Sequence, residues 1–132
     1  MVLFAAGVGL VVAVSLGFYF VTSRANVIDS LAVMPFTDAA ADTSTEYVSD
    51  GITESLIDEL SRMPGIKVIA RSSVFQFKGR GVDAKELGRR MGVKAILIGE
   101  VIQRGGELVV TAELVNASDD RHLWGERYTR PA

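Results

Sequence analysis

Residues 46–70, EYVSDGITESLIDELSRMPGIKVIA, constrain the fold more than any other stretch of this chain. Val48, Ile52, Leu56, Leu60 and Met63 recur at spacings of three and four, which is the apolar stripe of an amphipathic helix. Ser49 and Asp50 are its expected N-caps. Pro64-Gly65 ends it, because proline cannot extend the hydrogen-bond ladder and glycine accepts the left-handed cap conformation. Ile66, Val68 and Ile69 follow at once, a β-branched run that predicts a buried strand over 66–70. A helix that runs straight into a strand is the second half of a β-α-β unit. The apolar run 31–36, LAVMPF, supplies a first strand whose end leaves the sheet at Pro35. Between the two, TDAAADTST (37–45) has the small polar composition of an exposed loop.

Downstream, Phe75 and Phe77 lie in a polar, glycine-flanked stretch and are expected to plug a connecting segment onto the core. DAKELGRRMG (83–92) predicts a second helix, with Asp83 and Glu86 as an acidic capping pair and Gly92 as the C-terminal cap. Residues 93–117 read as two strands joined by Gly105-Gly106, both able to take positive φ in a tight hairpin. Leu108, Val110, Ala112 and Leu114 share one face of the second strand, and a last strand at 122–130 places Trp124 and Tyr128 together. The expected fold is therefore α/β in the order β-α-β-α-β-β-β. It is a five-stranded mixed sheet with two helices, parallel in its first part and antiparallel in its closing meander.

Residues 2–21 carry no charge, and about 20 such residues are needed to cross a bilayer as a helix. Phe18, Tyr19 and Phe20 cluster at one end, where aromatic rings favour the membrane interface. A transmembrane anchor over 1–23, a linker over 24–30 and a globular domain over 31–130 follow. The competing reading is a cleaved signal, with a loosely suitable site at Ser23-Arg24-Ala25. Against it stand the missing basic n-region and an apolar run longer than the usual 7–15 residues. Arg24 alone favours a cytoplasmic domain, whereas the absence of Lys and Arg from 25–60 favours export. The abrupt apolar start and the ending at 129–132 read as a piece of a longer chain.

With no cysteine, disulfides, thiolate nucleophiles and cysteine-based zinc sites are excluded. Beyond Arg24 the chain holds 13 basic and 16 acidic residues, a net −3, so nothing attracts nucleic acid in general. The charge is nonetheless divided. Residues 26–61 hold eight acids and no base, whereas 62–94 hold nine bases against Asp83 and Glu86. Asp50, Glu54 and Asp58 stand four apart on one helical face, either as a row for a hard cation or as a solvated or docking face. Arg89 and Arg90, flanked by Lys85 and Lys94, make the best nucleic-acid candidate, although no aromatic platform accompanies them. His122 is the only histidine, and without a converging nucleophile it makes no general base. Neither G-x-G-x-x-G nor a Walker-type loop occurs.

Four segments taken together, LAVMPFTD, EYVSDGITESLIDELSRMPGIKVIARSS, DAKELGRRMGVKAILIGEV and VTAELVNASDDRHLWGERY, resemble the TolB amino-terminal-like domain. That domain is grouped with FlgO-type and curli-secretion-type modules. The resemblance spans about residues 30–130 with the elements in the same order. It implies two helices on a five-stranded sheet similar to anticodon-binding-type domains. It also implies an extracytoplasmic module that follows a transmembrane helix and precedes tetratricopeptide-type repeats. The cytoplasmic partner domains of its relatives resemble DNA-binding, kinase or cyclase domains. No catalytic residue is implied.

The functional expectation is a non-catalytic, membrane-anchored periplasmic interaction or sensory module of a larger bacterial signalling or envelope protein, single-pass in the inner membrane. Its partners would be the bilayer, through residues 2–21, and a protein or adjacent repeat domain docking on Asp50, Glu54, Asp58, Arg89 or Arg90. No cofactor, metal, nucleic acid or small-molecule ligand is expected. The alternative is a cytoplasmic-facing module that binds nucleic acid or nucleotide through the basic segment 62–94.

Overall fold

The structure, a computed structural model, describes residues 12–14, 16, 28–38, 43–78, 80–81 and 83–131. Its centre is a mixed sheet. Strand β1 (Ser30–Val33) lies between β3 (Lys67–Val68) and β4 (Ala95–Arg104), parallel to both. Strand β5 (Glu107–Asn116) runs antiparallel to β4, and β6 (His122–Pro131) runs antiparallel to β5. The order is β3-β1-β4-β5-β6, with β2 (Thr37–Asp38) paired in parallel to the far half of β4. The expected parallel start and antiparallel meander are both present.

Strand count and helix count differ from expectation. Among the described residues the sheet has six strands rather than five, because the chain leaves β1 at Met34 and rejoins as β2. Pro35 has no amide to donate, so the ladder breaks there. The Met34 amide still reaches Leu97 O (2.9 Å), and the Phe36 amide is taken up by the Thr53 hydroxyl at 2.9 Å. The strand expected over 66–70 is hydrogen-bonded as a strand only over Lys67–Val68. The segment after it is not an irregular connector but a short helix, α2 (Arg71–Val74), continued by a 3-10 turn, Phe75–Phe77.

The long helix α1 (Thr43–Ser61) starts earlier than the spacing suggested and takes in the end of the predicted loop. Ser49 and Asp50 therefore sit inside it and are not caps. The Ser49 hydroxyl donates back to Glu46 O at 2.9 Å. Leu56 and Leu60 are fully buried, while Val48, Ile52 and Met63 pack beside them on the cluster formed by Leu31, Val33, Leu97, Val110 and Leu114. Burying each leucine contributes about 1.5–3 kcal/mol. The opposite face of the sheet, with Ala32, Met34, Ile96 and Val115, is covered by α2, the 3-10 turn and α3 (Ala84–Met91). Phe75 and Phe77 pack there as expected. The termini of α3 are the ones predicted: the Asp83 carboxylate accepts from the Glu86 amide at 3.3 Å, and Gly92 is left-handed with φ 69°. Gly105 and Gly106 turn the β4–β5 hairpin at φ 53° and 81°.

The expected membrane span at 2–21 lies outside the described residues apart from 12–14 and 16. Those four are helical, with Val12 and Leu16 exposed and Val14 buried among the α1-side cluster. Among the described residues no helix is long and apolar enough to cross a membrane.

Candidate functional site

The acidic row of α1 faces cations brought to it by the chain's own next segments. Asp50 and Glu46, one turn apart, both accept from the Lys78 ammonium, at 2.6 and 2.7 Å. Glu54 pairs with Arg71 at the start of α2, and Asp58 pairs with Arg62 at 2.9 Å. The Lys78 and Arg71 pairings follow from topology, because β3 lies beside β1 at the sheet edge and the segment leaving it passes alongside α1, whereas Arg62 lies one helical turn on from Asp58. Lys78 is held above the ordinary lysine value of 10.5, chiefly by its bond to Asp50 and then by that to Glu46. The Asp50 Oδ1 atom is buried and has no hydrogen-bond partner among the described residues. Asp50, Glu54 and Asp58 thus share one helix face, and each has an intramolecular counter-ion. Among the described residues no group of three or more His, Asp or Glu is placed to hold a metal ion.

Arg89 and Arg90, adjacent in sequence, point to different surroundings. Arg90 stacks over the Phe77 ring at 5.6 Å from its centroid and lies 3.7 Å from Glu86. Arg89 instead lines a groove of about 1040 Å³ with Lys85 and Lys94, over a floor that includes Ile28, Val93 and Ala117. The groove runs along α3, which packs so closely that a Cβ on Gly88 would stand 2.4 Å from the Ala117 Cβ. Of the nine bases in 62–94, Arg62, Arg71, Lys78, Arg90 and Lys94 pair with carboxylates. A continuous basic track for a polyanion is therefore interrupted.

His122 Nδ1 lies 2.6 Å from Glu113 Oε2 across the β5–β6 ladder, and both side chains are substantially exposed. The pair sits beside a register shift between Leu114 and Val115, and a Cβ on Gly125 would meet the imidazole at 2.9 Å. It is a surface contact rather than the orienting half of a catalytic arrangement.

Sequence reasoning missed the polar stripe on the inner side of α1. Thr45, Ser49 and Thr53 are buried, and Thr53 both accepts from the Phe36 amide and donates to Ser49 O at 2.9 Å. Thr45 reaches the Gln103 carboxamide at 3.3 Å. The signal lies in three small hydroxyl residues at spacings of four, on a helix whose apolar stripe and carboxylate row are the more evident patterns.

Residues 27–129 match the family described as the second domain of HilA/YgeH-like transcriptional regulators. A protein of Rhizobium meliloti (strain 1021) named putative adenylate cyclase 3 is 39% identical over 101 residues. That match covers 76% of this chain and 17% of the relative, so the chain spans only a small part of that protein's length. Among solved structures, the LpoB C-terminal domain from Escherichia coli has a TM-score of 0.63 at 10% identity, covering 89% of this chain and 94% of that one. The lipoprotein GNA1162 from Neisseria meningitidis gives 0.61 at 20% identity, with 79% and 81% covered. TolB from Acinetobacter baumannii gives 0.53 at 16% identity, covering 81% of this chain and 24% of TolB. At such identities these likenesses show a shared fold, and a TolB-related fold is what the sequence segments suggest. The family is given by the match over nearly all of the described domain: the chain belongs to the family of the second domain of HilA/YgeH-like transcriptional regulators.

Proposed function

We propose that this chain is a non-catalytic interaction or sensory module, anchored through residues 1–23, joined by a linker at 24–30, and exposed on the outer side of the inner membrane over 31–130. It would belong to a larger bacterial signalling protein, with flanking repeats of the tetratricopeptide type and a FlgO-like role as a docking domain. One observation carries the reading. The same module occurs in a family named for transcriptional regulators and within a chain named as a putative adenylate cyclase, of which it is a small part. A segment common to two unlike outputs supplies neither output, and what it can supply is the input or the assembly. Its likeness in fold to the lipoprotein GNA1162 supports the extracytoplasmic placement.

Fusions of the full chain to alkaline phosphatase and to green fluorescent protein at the C-terminus test the placement. The phosphatase fusion is expected to be active and the fluorescent one dark. The reverse pattern would place the domain in the cytoplasm and refute the reading.

A further inference from the structure

Strands β1, β3 and β4 begin at the end of the sheet where the chain enters. The Lys67 amide donates to Asp29 O at 2.8 Å, and the Lys94 amide donates to Ser30 Oγ at 2.9 Å. From the meander, Ala117 N donates to Lys94 O at 2.9 Å and Asn116 N donates to Arg121 O at 2.8 Å. The backbones of Lys67, Lys94 and Arg121 are therefore fixed around one rim. Helix α3 adds Lys85 and Arg89, which line the groove with Lys94. Among the described residues, Lys67, Lys85, Arg89 and Arg121 have no ion-pair partner. Lys94 has a 3.4 Å contact with Asp29, with both side chains at least half exposed. Carboxylates near these five cations in the chain are Asp29, which meets Lys94, and Asp119 and Asp120 in the turn before Arg121. Asp119 accepts from the Arg121 amide. Asp83 and Glu86, also on the groove, are engaged in capping α3 and in pairing with Arg90. The contrast is with α1, where each carboxylate of the row already has its cation.

Ile28, in the groove floor, is separated from the end of the apolar run at Val21 by only six residues. At about 3.3–3.6 Å per residue, even a fully extended chain keeps Ile28 within roughly 25 Å of that end. The basic rim is thus tethered close to whatever surface holds residues 2–21, and long Lys and Arg side chains reach outward to a charged interface.

We propose that this rim, Lys67, Lys85, Arg89, Lys94 and Arg121, lies against anionic phospholipid headgroups of the bilayer and so fixes the orientation of the domain on its tether. The inference rests on the reading of 2–21 as an anchor. The chain has no cysteine, so a single Ser118→Cys change at the groove lip places one fluorophore there. The full chain is reconstituted into nanodiscs of phosphatidylcholine alone or with phosphatidylglycerol, each containing a headgroup-spin-labelled lipid. Quenching at position 118 is expected only in the anionic discs. It should be lost in high salt, which shortens the screening length, and lost in the Lys67→Ser, Lys85→Ser, Arg89→Ser variant although that variant still co-floats with the discs. Equal quenching in neutral and anionic discs, with normal flotation, would overturn the headgroup contact and leave the anchor standing. Failure to co-float with either disc would overturn the anchor and this inference with it. If a single-stranded oligonucleotide rather than the anionic lipid gives the salt-sensitive and substitution-sensitive change, the rim is a nucleic-acid surface and the proposal is wrong.

Discussion

Gly99 occupies a position in the middle of β4 where alanine would ordinarily stabilise a strand by about 0.5–1 kcal/mol. Here the sign reverses. A Cβ built on Gly99 falls 2.3, 2.4 and 2.6 Å from three ring carbons of Phe36, whereas relaxed carbon contacts lie at about 3.5–4.0 Å. Phe36 is almost fully buried, and its amide is tied to Thr53, so the ring cannot withdraw without disturbing α1. Overpacking of this kind costs about 2–3 kcal/mol, and subtracting the strand gain leaves Gly99→Ala about 1–2.5 kcal/mol less stable. The assay is urea unfolding of the full chain in mild detergent, followed by the fluorescence of Trp124, the only tryptophan, which packs against the α1-side cluster. With a slope of about 1–3 kcal/mol per molar, the midpoint falls by roughly 1 M. Phe36→Leu removes the offending ring atoms, so the alanine cost should shrink by about 1.5 kcal/mol in that background. An alanine effect near zero in the parent, or one of the same size in both backgrounds, would refute the close packing of Phe36 on Gly99.

Two further outcomes follow from the polar contacts of α1. Thr53→Val leaves the buried Phe36 amide without its acceptor and should cost about 1–3 kcal/mol, whereas Thr53→Ser should cost far less. Faster hydrogen exchange at the Phe36 amide in the valine variant checks the cause. Lys78→Met should lower stability by up to about 1 kcal/mol, because two partly exposed ion pairs are lost. Since the folded value of Lys78 is raised above 10.5, its contribution is in place at neutral and mildly alkaline pH and disappears as pH rises through the raised value. The difference in melting temperature between parent and variant should stay constant from about pH 6 to 9 and close only in the alkaline range. A gap that closes below pH 9 would contradict the assignment.

What the sequence could show and what it could not divide along the range of the interactions. Periodicity, proline and glycine act within a few residues. The α1 stripe, the left-handed Gly92, the Gly105-Gly106 hairpin and the inward face of β5 are therefore legible in the order of the residues alone. The charge halves are legible too, though not their meaning. Whether Asp50 and Glu54 face solvent, metal or partner depends on where residues 71–78 pass. Lys78 meets Asp50 across a separation of 28 residues. The divergence of Arg89 from Arg90 depends on Phe77 and Glu86 taking up only one of them.

The β-α-β start and the closing meander are written in the chain itself, because local propensity and apolar spacing suffice for them. Long-range packing settles the rest: that the chain, having left β1 at Pro35, resumes as β2 beside β4, that α2 replaces a loop, and that Gly99 must lack a side chain. The first and last of these turn on partners distant in the chain, Thr53 for the Phe36 amide and the Phe36 ring for Gly99. The same holds for the basic rim: its residues come from β3, α3, the residue before β4 and the turn before β6, and no spacing in the sequence announces that they share an end.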